Sequence, residues 1–86
     1  MIFEWDAAKS ESNQLKHGIS FEEVRCLLER YGYIVAVKNP THLGQELMVF
    51  RDEKGEIFVA VAEKRGDATR LITAYKSRKM RKKYGR

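Results

Sequence analysis

The sequence predicts an α+β fold: two N-terminal helices packed on a mostly antiparallel sheet of four to five strands, closed by a short C-terminal helix. Three observations carry this. Helix-terminus chemistry at Asp6, Gly18 and Ser20 crowds the first quarter of the chain. Four β-branched and aromatic runs follow, joined by links too short for helical crossovers. Helical and strand regions are segregated rather than alternating, which points to antiparallel pairing with the helices on one face. With 86 residues and 43% apolar content, residues 1–86 suit a single domain without repeat or linker. A chain this small buries only about 60 to 65% of its unfolded surface, so a partner readily adds stability.

The elements follow in order. Ile2, Phe3 and Trp5 alternate as a short strand, with Trp5 expected in the core. Asp6 then offers its carboxylate to the free amides of a helix from Ala7 to about Lys16, which Gly18 ends. Ala7, Ala8 and Leu15 are this helix's only apolar residues, so it belongs on the domain surface or against a partner. Ser20 and Glu23 have the spacing of a capping box, and Ile19 and Val24 that of the accompanying hydrophobic staple. Phe21, Val24, Leu27 and Leu28 continue as a stripe that should cover the sheet. Cys26, the only cysteine, excludes an intrachain disulfide and is expected to be a small buried hydrophobe.

Tyr33–Val37, Glu46–Phe50, Glu56–Ala62 and Thr69–Tyr75 are the four strands of a meander, separated by Asn39-Pro40, Asp52–Gly55 and Arg65-Gly66-Asp67. From Ser77 onward a short helix is expected, anchored by Met80 and Tyr84 four residues apart. Apolar stretches reach only four to six residues and no leader opens the chain, so a cytoplasmic, membrane-free protein is expected.

Net charge is only +5, but its distribution is uneven. Residues 70–86 hold 8 basic and no acidic residues, whereas residues 1–69 carry 9 basic against 12 acidic. Such a segment either draws polyanions or is a solvated tail. There is no cysteine pair for zinc, no histidine pair at ligand spacing, no phosphate loop and no nucleophile elbow, which argues against metal and nucleotide enzymes.

What remains suits RNA strand scission, which needs a base, an acid and cations around the phosphorane. His17, at a helix end, either moves protons or caps the last carbonyls. His42, in a polar loop, is expected to be structural or exposed. On a strand of period two, Arg70, Ile72 and Ala74 share a face and Thr73 points the other way. Arg70 there clamps a phosphate or pairs with an acid. Tyr75 and Tyr84 are suited to base stacking, proton transfer or core anchoring.

Trp5-Asp6, Lys9, Asn13, Lys16-His17-Gly18-Ile19, Phe21 and Glu22-Glu23 closely resemble the opening signature of the BrnT toxin family. Arg70-Leu71-Ile72-Thr73-Ala74, followed by a basic helix with Tyr84, is similar to that family's closing motif. Together they span nearly the whole chain; the middle strands carry no diagnostic residue. The resemblance implies a RelE-like ribonuclease fold, RNA cleavage that stops translation without metal or cofactor, and a bacterial or archaeal setting. It also implies a cognate antitoxin that binds operator DNA. By position, Lys16 and His17 correspond to the family's lysine-histidine pair, Arg70 to its strand arginine and Tyr84 to its terminal tyrosine. Tyr75 stands where the family usually has arginine, and Met80 where it usually has glutamate.

The resulting expectation is an endoribonuclease in which His17 or Tyr84 moves protons and Lys16 and Arg70 stabilise the charged intermediate. Lys76, Arg78, Lys79, Arg81, Lys82 and Lys83 would hold RNA, on or off the ribosome. The assemblies it allows are a homodimer and a toxin–antitoxin heterotetramer. A rival expectation, motivated by Tyr75 and Met80, is a degenerate module that binds RNA or the ribosome without cutting. A third makes the basic helix only a holding surface for an acidic antitoxin.

Overall fold

Helix caps set the first third of the chain. The computed structural model describes residues 2–85, beginning with strand β1 (Ile2–Glu4) and helices α1 (Ala7–His17) and α2 (Phe21–Tyr31). The Asp6 carboxylate accepts from the amides of Ala8 and Lys9 at 2.8 and 3.3 Å, satisfying donors that the first turn of α1 leaves free. Gly18 closes α1 at φ 74°, a left-handed conformation that favours glycine, and its N–H donates to the Gln14 carbonyl. The capping box forms: the Glu23 amide donates to Ser20 Oγ, and the Ser20 amide to Glu23 Oε1. Ile19 and Val24 are both buried.

Strands β2 (Val35–Lys38), β3 (Gln45–Arg51), β4 (Ile57–Arg65) and β5 (Ala68–Lys76) then make the meander, and α3 (Arg78–Tyr84) ends the described chain. The sheet order is β1-β5-β4-β3-β2, with β1 parallel to β5 and every other pair antiparallel. β4 and β5 meet at a two-residue turn, Gly66-Asp67, with Gly66 at φ 61°. Their paired ends carry Glu63, Lys64 and Arg65, so backbone pairing extends β4 past the apolar run that marked it in sequence.

The sheet is covered on both faces. Phe21, Val24 and Leu28 of α2 pack on Met48, Phe50, Phe58, Ala60, Ala62, Leu71 and Ala74. On the opposite face Met80 and Tyr84 of α3 pack, with Tyr75, over Val49, Ile57 and Val59. Strand alternation produces this division, odd residues of β3 and β4 facing α3 and even ones facing α2.

On β5 a bulge resets the alternation. Val61 pairs with Thr73 while the adjacent Ala62 pairs with Leu71, so Ile72 is an extra residue. Leu71 and Ala74, three apart, both reach the helix-side core. Arg70 and Thr73 oppose Glu63 and Val61 and therefore share a face with Tyr75. This corrects the simple period-two expectation, which grouped Arg70 with Ile72 and Ala74.

α1 reaches the domain through polar groups. Ser10 and Asn13 are its buried residues, whereas Leu15 is exposed. Beyond its pairing with β1, β5 has an open edge, and the Asn13 carboxamide fills it like a strand. Its Oδ1 accepts from the Ala74 amide at 3.2 Å and its Nδ2 donates to the Ala74 carbonyl at 2.9 Å. Nδ2 also donates to the Ile19 carbonyl, and Oδ1 accepts from Thr73 Oγ1. Cys26 departs from expectation: it lies on the exposed side of α2, because the buried stripe runs through Phe21, Val24 and Leu28. Trp5 packs half-buried against the helix-side core with Arg25 stacked 5.4 Å from its ring centre.

Candidate functional site

The α3 face of β5 carries the groups of chemical interest. Their order along the strand is Arg70, Thr73, Tyr75, set on one side by the bulge at Ile72. The end of α1 brings His17 to the last of these, with the rings of His17 and Tyr75 6.2 Å apart and tilted by 55°. Both α1 constraints converge here, since Asn13 fixes Ala74 immediately before Tyr75 and Gly18 ends the helix immediately after His17. His17 is exposed. Lys16 is exposed beside it, turned by about 100° around the helix.

Tyr84 comes from α3. Ser77 caps this helix by accepting from the Met80 amide at 3.1 Å. Met80 and Tyr84 point inward onto the same apolar cluster as Tyr75, leaving Arg78, Lys79, Arg81, Lys82 and Lys83 exposed on the outside. Tyr84 and Tyr75 thus pack against one apolar cluster, with Lys83 Nζ 5.5 Å from the Tyr84 ring centre. Lys76 lies on the other face, its Nζ 6.0 Å from the Phe58 ring centre in the helix-side core.

The structure therefore brings His17 to Tyr75, with Tyr84 packed on the same face of the sheet against Val49, Ile57 and Val59. It does not bring Arg70 to them. Arg70 lies five residues back along β5, about 15 Å away at normal strand rise, with its guanidinium 3.8 Å from Glu4. That separation exceeds hydrogen-bond range, so the donors of Arg70 are not committed to Glu4. The only ion pairs among the described residues are this one and Arg65–Glu63, so Lys16 and the five cations of α3 have no acidic partner.

A cleft of about 660 Å³ lies elsewhere, between α2 and the β3–β4 turn. Its lining sets Glu22, Glu23, Glu29, Asp52 and Glu53 against one cation, Arg30, a balance that repels phosphate. The Ser10 hydroxyl hydrogen-bonds Glu22 and, more than any other cause, holds that carboxyl below its usual range. His42 is exposed, with Thr41 Oγ1 3.1 Å from its Nδ1. Among the described residues no three His, Cys, Asp or Glu side chains gather as a metal site, and no helix is long and apolar enough to cross a membrane.

Sequence reasoning overlooked Ser10. A visible signal existed: a helix without an apolar stripe must be held by something else, and Ser10 and Asn13 fall three apart on one face.

Fold and site together define a small α+β domain with a cationic helix beside a histidine–tyrosine cluster. The family model for the ribonuclease toxin BrnT of type II toxin-antitoxin systems matches residues 5–83, and the chain belongs to that family. Among solved structures it is similar to the Brucella abortus ribonuclease toxin BrnT, at 20% identity and a TM-score of 0.69. That match covers 90% of this chain and 97% of the Brucella chain. No curated protein sequence matches it.

Proposed function

We propose that this chain is a metal-independent endoribonuclease whose cleavage of RNA halts translation and which a cognate antitoxin neutralises. The observation that carries the reading is the meeting of His17 with Tyr75 on the sheet face that α3 covers, α3 itself presenting five exposed cations with no acidic partner among the described residues. In the reaction, a base takes the proton of a ribose 2′-hydroxyl and its oxygen attacks the adjacent phosphorus. The bond to the 5′-oxygen breaks as an acid protonates it, giving a 2′,3′-cyclic phosphate and a 5′-hydroxyl. His17 and Tyr84 move these protons, and Lys16 stabilises charge on the phosphorane. Arg70, about 15 Å along the strand, holds a neighbouring phosphate, and the α3 cations hold the backbone. An antitoxin of opposite charge, covering α3, would exclude RNA and associate rapidly.

Tyr75 and Met80 favour a second reading. Tyr75 supplies a ring where the family usually has a cation, and Met80 is an apolar anchor for α3 where a carboxylate is usual. A module that binds RNA without cutting would result.

Induced expression in a bacterium, with growth and RNA integrity followed together, separates the two. Wild type is expected to arrest growth and fragment RNA. His17→Ala and Tyr84→Ala are each expected to lower cleavage by roughly 10²- to 10⁴-fold. Normal growth with intact RNA, from folded protein, would overturn the nuclease reading and favour the binding module.

A further inference from the structure

A second cleft, of about 480 Å³, opens between the C-terminal end of α3 and the β3–β4 turn. Tyr31, Arg51, Lys54 and Arg81 line it, together with Asp52 and Glu53. None of the three cations belongs to an ion pair among the described residues. Asp52 is already engaged, its Oδ1 accepting from the amides of Lys54 and Glu56 at 2.9 and 2.8 Å. Glu53 stays exposed. Tyr31 presents 49% of its surface to solvent, and Arg30 adds a further cation 5.9 Å from its ring centre.

The cleft shares its end of the sheet with His17 and Tyr75. Arg51 pairs with Ile57 on β3 and β4, and the next residue of β4, Phe58, pairs with Lys76 on β5. Arg51 also faces α3, because Ile57 opposite it lies in the α3-side cluster. Two strand spacings, about 10 Å, separate Tyr75's strand from Arg51's, with α3 lying over β4 between them.

We propose that this cleft is a nucleotide subsite for single-stranded RNA, with Tyr31 stacking on a base and Arg51, Lys54 and Arg81 holding its phosphate. Unpaired cations beside an exposed aromatic ring are what an unstacked nucleotide requires, since every base has a face to stack and every link a charge to neutralise. The proposal rests on the RNA-directed reading above and extends its contact surface past α3.

The test is fluorescence anisotropy of a labelled 2′-O-methyl oligoribonucleotide, which cannot be cleaved by 2′-hydroxyl attack, on the full chain. Circular dichroism checks that each variant is folded. Tyr31→Ala and Arg51→Ala are each expected to weaken binding about ten-fold, while Tyr31→Phe, which keeps the ring face, stays within about two-fold of wild type. If Tyr31→Ala binds like wild type while a Lys79→Ala/Lys82→Ala variant loses affinity, the RNA reading stands and the subsite is overturned. If wild type binds no RNA, both fall. A nucleoside monophosphate that binds wild type but not Tyr31→Ala, with RNA affinity unchanged by that substitution, would overturn RNA as the occupant.

Discussion

The hydroxyl of Ser10 serves two helices at once. It accepts from the Phe21 amide at the start of α2 and donates to Glu22 one residue on, so a single small side chain fixes where α2 begins against α1. Its effect depends on pH. The Glu22 carboxyl is held below the ordinary glutamate range, chiefly by this hydrogen bond. A depressed folded-state value means that the contribution is complete above the unfolded value and is lost as pH falls through the folded one. Urea midpoints measured at pH 6 and pH 3 should therefore fall further for wild type than for Ser10→Ala. Equal falls in the two proteins would show that Ser10 does not act through Glu22. His17 and Tyr75 illustrate the same scale at the candidate site, where one ring contact defines the neighbourhood that the chemistry would use.

At the scale of elements, α1 is joined to the sheet by hydrogen bonds where most surface helices use an apolar stripe. Asn13→Ala would leave the buried Ala74 amide and the Ile19 and Ala74 carbonyls without this partner. Lost partners of that kind cost about 1 to 3 kcal/mol each when water cannot replace them. We expect a loss of about 2 to 4 kcal/mol, measured by urea denaturation, with the end of α1 and His17 released from Tyr75. This tether also marks how far the sequence could be read. Caps, the capping box and four strands were legible because each depends on residues within a few positions of one another. The sidedness of Arg70 was not, because it depends on how β5 is registered against β4, and one extra residue reverses every side chain beyond it. The solvent position of Cys26 was lost for a related reason. Its neighbours are apolar, but its angle on α2 falls outside the buried stripe. Of the candidate site, the position of His17 at the end of α1 was legible from Gly18, whereas its meeting with Tyr75 required the tertiary fold.

Over the whole molecule, charge is sorted by face. α3 presents five exposed cations on one side of the sheet, and the cleft beside α2 presents a mainly carboxylate lining on the other side. RNA should accordingly approach from the α3 side, and its affinity should fall steeply with salt. For single strands each neutralised phosphate contributes about −0.7 to the slope of log affinity against log salt. Titrations at several salt concentrations should show this slope becoming shallower by about 0.7 for each α3 lysine changed to alanine. A slope unaffected by those substitutions would place the RNA elsewhere.

The position of β5 in the sheet has a consequence for timing. It is the last strand in sequence, yet it stands between β4 and β1, so the first strand has no neighbour until the final one has been made. Pairing across that span is the slow, entropically costly kind. Arg70, Thr73 and Tyr75 lie on β5 itself, and Tyr84 follows it. An unfinished chain therefore carries His17 with nothing to meet it. The neighbourhood of His17 and Tyr75 comes into being only when β5 has been made and paired, among the last events of folding.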